Sequence, residues 1–344
     1  MSGFVLALLL AAGCGGDPGS PAPGSRASSP AAVTSPPGAD SSAPTTASTP
    51  ASPGSASTPA GSASTPAGSA SPDAAPKSTV GELPRGGRTV FPRYRLVGYA
   101  GLTGARSLGR LGIGDLGTRM KELEERAQPY AQQREVLPVM ELIATIVQSQ
   151  PGADGMYRTR ASDATISHYL KEARAHRALL LLNIQPGRAD FLDEVRAYDR
   201  WLAEPDVGLA LDPEWAMGPG QVPGGAFGQT SGAELDSVAR HVAGIVAEHS
   251  LPEKVVVYHQ LTPGIVKNEG RLRDRQGVVL VKSIDGIGNR AEKTSTYNRV
   301  NRRTPDFVHP GFKIFYEEDR RSGPLMTPQQ VLKLDPRPDY VMYE

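Results

Sequence analysis

The stretch ALLLLNIQPGRADFLDEVRAYDRWLAEPDVGLALDPEW, residues 178–215, decides the fold. It opens on a near-continuous apolar run over 178–184, the pattern of a strand covered on both faces. A charged segment of helical periodicity follows over 189–203, and a second apolar run over 207–211. Strand, helix and strand in so short a span make a right-handed βαβ unit of a parallel sheet.

The alternation continues in both directions. Apolar runs recur at 95–101, 136–142, 254–260, 278–284, 311–316 and 339–343. Helix candidates lie between them at 114–131, 162–176, 232–249, 291–302, a short one near 263–275, and a turn or so at 327–332. Eight strands alternating with seven helices predict an α/β fold, a (β/α)8 TIM-type barrel lacking the last helix. A doubly wound open sheet is the alternative. It finds no support from a G-x-G-x-x-G turn, because GRLGIG at 109–114 has the wrong spacing.

The barrel does not use the whole chain of 344 residues. Only seven Asp, Glu, Lys or Arg residues and one aromatic, Phe4, precede residue 86, so the first quarter cannot build a core. Residues 15–85 are mostly Ala, Ser, Pro, Thr and Gly, with SASTPAG at 55–61 repeated from Ser62. The repeat has no apolar face to stack, so it predicts a disordered tether spanning about 45 Å r.m.s.. Residues 1–14 form a short apolar run ending in small residues and the chain's single cysteine, Cys14. This resembles a bacterial lipoprotein signal, with Cys14 acylated; a plain secretory signal with an incidental cysteine is the alternative. The expected organisation is a signal over 1–14, a tether over 15–85 and a barrel domain over 86–344, lipid-anchored outside the cytoplasm.

The totals exclude several classes. A net charge of +1 gives no field for nucleic acid. No apolar run reaches the roughly 18 residues of a membrane span. One cysteine excludes an internal disulfide framework and a Cys-based zinc site. No cofactor or metal is assigned, and the domain is expected to be a monomer.

Barrel active sites lie at the C-terminal strand ends. Those ends are polar here: Glu141 on the second strand, Asn183 and Gln185 on the third, Asp212 and Glu214 on the fourth, His259 and Gln260 on the fifth, Asp285 on the sixth, Glu317 to Asp319 on the seventh, Tyr343 and Glu344 on the eighth. Alternation of side chains sharpens the set. Asp212 and Glu214 share a face with Gly208 and Ala210, so they are expected inside. Asp285 groups with Ser283. Glu317 groups with Lys313 and is expected inside. His259 groups with Val255 and Val257, which argues mildly against a place in the lumen.

Leu-Asp-Pro-Glu-Trp at 211–215 is the sharpest motif. A D-x-E at the end of the fourth strand resembles several glycoside hydrolase barrels. That resemblance implies Glu214 as general acid, tuned by Asp212, and Glu317 as nucleophile or base. The plainer alternative makes Asp212 an N-cap, Pro213 the first helical residue and Glu214 a first-turn acid. Trp215 offers a ring for sugar stacking, and a Gly/Pro-rich loop follows over 216–230. Glu141, Asn183, Gln185, His259, Gln260, Asp285 and Tyr343 are candidate substrate contacts. For His259 the alternative is an ordinary hydrogen-bonded histidine, and for Asp285 turn chemistry before Gly286. Arg158 and Arg160 are either a clamp for an anionic substrate or solvated charge.

The domain as a whole resembles an uncharacterised family of secreted lipoproteins of high-GC Gram-positive bacteria. The likeness lies in ELIAT at 141–145, NIQPGRADF at 183–191, LDPEW at 211–215 and GFKIFYEED at 311–319. It implies export and a barrel, and no reaction. The expectation is a cell-surface glycoside hydrolase-like barrel acting on envelope or extracellular polysaccharide. The alternatives are a metal-dependent hydrolase or lyase using Glu141, Asp212 or Glu214, His259 and Asp285, and a non-catalytic barrel that binds glycan or a protein partner.

Overall fold

The computed structural model describes residues 81–344. The signal segment, Cys14 and residues 15–80 of the tether lie outside the described residues. Packed structure begins a little before the expected boundary at 86. Leu83 is buried, and Arg85 donates to the carbonyls of Val136 and Arg177.

Eight strands form the barrel: β1 Tyr94–Gly101, β2 Glu135–Val147, β3 Leu179–Ile184, β4 Val207–Leu211, β5 Lys254–Gln260, β6 Val278–Ile284, β7 His309–Ile314 and β8 Tyr340–Tyr343. Each pairs in parallel with the next. β8 pairs back onto β1, from Leu96 opposite Tyr340 to Tyr99 opposite Tyr343, and closes the ring. The fold is the TIM-type α/β barrel expected from the strand and helix alternation.

The helices are α1 Leu116–Ala127, α2 Asp163–Ala175, α3 Phe191–Arg196, α4 Asp199–Leu202, α5 Gly232–Glu248, α6 Arg290–Asn301, α7 Glu318–Ser322 and α8 Pro328–Val331. Side chains of Asp115, Ser162, Ser231 and Asn289 accept from first-turn amides and fix four of their starts. Two expectations change. The single helix over 189–203 is broken at Tyr198, whose hydroxyl instead donates to Ala144 O at 2.8 Å. The helix near 263–275 does not form. That segment holds a 3₁₀ turn, Glu269–Arg271, after a two-residue strand Val266–Lys267 paired with Thr230–Ser231. Pro263, Gly264 and Gly270 oppose a helix there. Buried Glu269 accepts from Tyr258 and Lys282 instead. β2 also runs five residues past its expected end, to Val147, and pairs antiparallel with the short strand Arg158–Arg160.

Two apolar layers result. One lies between strands and helices, with Leu180, Leu182, Leu209, Leu211, Val256 and Ile284 among its members. The other fills the lumen with the opposite parity: Leu137 and Val139, Leu179 and Leu181, Ala210, Val255 and Val257, Val279 and Val281, Tyr340 and Met342. The lumen is narrow. A Cβ on Gly98 would lie 2.6 Å from the Met342 methyl, and one on Gly208 2.5 Å from Val255 O. Two residues beyond the last apolar member of several lumen rows, the same face becomes ionisable or polar: Glu141, Asn183, Asp212, His259 and Ser283. The fold thus carries one set of alternate residues from a dry base to a charged mouth.

Candidate active site

Four carboxylates, one histidine and one lysine are interlocked at the C-terminal mouth. Asn183 Nδ2 donates to Glu141 Oε1 at 2.9 Å and to Asp212 Oδ1 at 3.2 Å. Gln185 Nε2 donates to Asp212 Oδ2 at 3.1 Å. The Tyr340 hydroxyl donates to Glu141 Oε2 at 2.5 Å. Asp285 accepts from Ser283 Oγ at 2.8 Å and from His259 Nδ1 at 2.8 Å, and Lys313 Nζ lies 3.3 Å from the same carboxylate. Lys313 also contacts Glu344 Oε2 at 2.6 Å. His259 Nε2 faces Glu141 Oε1 at 3.2 Å and Asp212 Oδ1 at 3.8 Å.

These contacts show where the side chains left open by the sequence are placed. Asp212 does precede a 3₁₀ turn, Pro213–Trp215, but its side chain caps nothing there. It points to the two lumen amides instead. Asp285 serves His259, Ser283 and Lys313 rather than a turn. His259 is inside the lumen and fully buried. The parity that grouped it with Val255 and Val257 was sound, but those valines line the lumen, not the helix layer. Arg158 and Arg160 both bind buried Glu194, at 2.7 and 2.8 Å, so they clamp the protein's own carboxylate.

Three expected site residues are elsewhere. Glu317 lies past the end of β7, at the start of α7, where the backbone has turned helical and strand alternation no longer applies. Its side chain is 60 % exposed and lies 3.7 Å from Arg106. Tyr343 faces the helix layer and shares a hydrogen bond with the Tyr130 hydroxyl at 2.7 Å. Gln260 has the parity of Val256 and Tyr258, and its amide donates to Thr262 O. Lys313, Tyr340, Ser283 and Glu344 take their places around the lumen. Strand alternation was the signal for all four, since Lys313 follows Gly311 by two and Glu344 follows Tyr340 and Met342.

Electrostatics separates the acids. Burial alone opposes the charge on Asp285, but the His259 and Lys313 cations outweigh it and hold its pKa well below the ordinary value. Glu141 is likewise pulled down to about 2, against its burial, by His259, Lys313 and the Tyr340 hydroxyl. The imidazole of His259 is held well above its usual value by Asp285 and Glu141, again against burial. Glu214 behaves oppositely. Burial, then the charges of Asp212 and Asp285, push its carboxyl up to about 8. Its Oε2 is buried and has no hydrogen-bond partner. Asp212 is also raised, chiefly by burial.

Glu214, Asp212, Asp285 and Lys313 all line one cavity of about 60 Å³, with Trp215, Phe227 and Phe315 among its apolar walls. The loop after β4 roofs this side. Gly228 N donates to Glu214 O at 2.6 Å and Met217 N to Gly187 O at 2.7 Å, while Arg188 Nε holds Gln221 O at 2.8 Å. Phe227 remains 37 % exposed at its edge.

No group of three or more His, Cys, Asp and Glu side chains among the described residues is arranged to hold a metal ion. His259 Nδ1 is bonded to Asp285, while its buried Nε2 lies 3.2 Å from Glu141 Oε1 without a hydrogen-bond partner. No helix among the described residues is long and apolar enough to cross a membrane. Neither the protein-family models nor the curated proteins contain a match to the chain.

Proposed function

We propose that this protein is an extracytoplasmic glycoside hydrolase-like enzyme, lipid-anchored through Cys14 and acting on envelope or extracellular polysaccharide. One observation carries the reading. Glu214 presents a carboxyl whose buried Oε2 has no hydrogen-bond partner and whose pKa is pushed up to about 8, in the wall of a cavity it shares with Asp285, whose pKa is held well below the ordinary value. Two carboxyls whose surroundings drive their pKa values apart are the signature of acid–base assignment. Glu214 gives its proton to the glycosidic oxygen as the bond to the anomeric carbon breaks. The fixed charge of Asp285 stabilises the positive character that develops on the sugar ring. Asp212, with its pKa raised by burial, accepts the proton of the attacking water. Trp215, Phe227 and Phe315 supply faces for sugar stacking. Opening of the loop over 216–229 admits the chain, because about 60 Å³ holds only a water or two.

A second reading, a non-catalytic barrel that binds glycan or a partner, draws on the pairing of Glu141, Asp285 and Glu344 with His259 and Lys313. A panel of cell-wall polysaccharides offered to the purified protein separates the two. Turnover that disappears in Glu214→Gln supports the enzyme, and turnover that survives in it removes Glu214 from the mechanism. Binding without turnover favours the second reading. Retention of Cys14→Ser in the membrane fraction contradicts the anchor.

A further inference from the structure

Beside the small cavity lies a larger cleft of about 580 Å³, on the rim between the loop after β1 and the start of α7. The two share Ile287, Phe315 and Glu344 as walls, so the cleft is the immediate neighbour of the carboxyl cavity. Its size is that of a typical ligand site. Its distinguishing feature is arginine. Arg106, Arg110, Arg126, Arg320 and Arg321 all line it.

Three of these guanidinium groups gather on one ring. Arg110, Arg126 and Arg320 lie 5.5, 5.8 and 5.6 Å from the centroid of Tyr316. Like charges gathered about one ring repel one another unless anions offset them. Of these three, the cleft's own acids supply one for Arg110 alone. Glu122 is already shared between Arg110 at 2.6 Å and Arg119 at 2.7 Å. Glu317 serves Arg106 and Glu344 serves Lys313. Among the described residues, no carboxylate lies within ion-pair distance of Arg126, Arg320 or Arg321, and Glu318 is the one lining acid left to oppose them. The tyrosine ring packs on Tyr343 at 5.5 Å, which fixes the platform.

We propose that this cleft is a subsite for an oxyanionic substituent on the glycan, so that the polysaccharide recognised is acidic. Guanidinium forks bind carboxylate, phosphate and sulfate through paired hydrogen bonds, and Arg126 and Arg320 face the space where such a group would sit. The charged substituent then lies next to the sugar whose bond faces Glu214. The assignment of substrate class rests on the proposed function, but anion binding by the cleft does not depend on Glu214.

The test is calorimetric titration of the full chain carrying Glu214→Gln, which binds without turning over. The probes are an oligogalacturonate, a glycerol phosphate oligomer, a sulfated oligosaccharide and a neutral gluco-oligosaccharide of matched length. At least one acidic probe is expected to bind about tenfold or more tighter than the neutral one, and to lose about tenfold on adding either Arg126→Met or Arg320→Met. Arg299→Met, an exposed arginine outside the cleft, leaves binding unchanged. The probe that binds tells carboxylate, phosphate and sulfate apart. Equal binding of the neutral probe, indifference to both arginine changes in variants that keep the native circular dichroism spectrum, or no binding of any acidic probe overturns the proposal. Arginine-dependent binding with no turnover by the wild type preserves this subsite and removes the enzyme. Turnover of neutral glycans that is indifferent to Arg126 and Arg320 does the reverse.

Discussion

His259 donates from Nδ1 to Asp285 Oδ2 across 2.8 Å, with both side chains buried inside the barrel. Through its other nitrogen the same ring faces Glu141 at 3.2 Å, so His259, with Lys313, holds two carboxylates ionised where water does not reach. Removing the imidazole leaves Lys313, among the described residues, as the one cation facing both. His259→Leu is expected to cost about 3–5 kcal/mol in denaturant unfolding, the range for breaking a buried ion pair. A loss under about 1 kcal/mol would mean that the carboxylates are not charged.

Stability should fall toward acid for the same reason. Asp285 and Glu141 have pKa values depressed in the folded protein, so their stabilising contribution is full above the ordinary carboxylate range and drains as pH falls toward their folded values. His259, raised in the fold, stabilises fully below its ordinary value and loses this only as pH rises through its folded value. Unfolding midpoints measured between about pH 2 and 4.5, below the range where the raised Glu214 acts, should rise with pH. A flat profile would contradict the charge assignment.

Glu214 has the opposite sign for an acid. Its carboxyl keeps a proton up to about 8 in the folded chain but loses it near 4.5 when unfolded, so it penalises folding increasingly between those values. Glu214→Gln is therefore expected to be more stable than wild type by a few kcal/mol at pH 8, with the difference shrinking below pH 5. Sites built for chemistry commonly carry such a cost. Equal stability at both pH values would place Glu214 in water.

Much of this was legible in the sequence. The eight strands follow from apolar runs that need cover on both faces, and Asp212, Glu214 and Asp285 follow from counting alternate residues along β4 and β6. The same counting failed beyond Ile314, where β7 stops and the chain turns into α7. Glu317 then lost its phase and went to solvent, while Lys313, four residues earlier and still in the ladder, kept the lumen. His259 failed differently. Its phase was right, but a lone row of valines does not say which of two apolar layers it faces, and only closure of the barrel decides. The partnering of Arg158 and Arg160 with Glu194 was not legible at all, because it depends on an antiparallel extension of β2.

Asp319 sits in that same corner after β7. It accepts from the amides of Gly288 and Phe315 at 3.0 Å each and pairs with buried Lys293 at 2.9 Å. Asp319→Ala leaves an uncompensated buried lysine and is expected to cost about 3–5 kcal/mol. Glu317→Gln, two residues away and exposed, is expected to stay within about 0.5 kcal/mol. Comparable losses from the two in parallel denaturant titrations would be at odds with the corner described.

The central claim is that Glu214 holds a proton at neutral pH, ready to give to a leaving group. Carbon-13 labelling of glutamate side chains and comparison of the wild type with Glu214→Gln identifies its carboxyl resonance, which can then be followed with pH. The resonance missing from the variant is predicted to titrate near 8. Titration in the ordinary carboxylate range, near 4.5, would contradict the account.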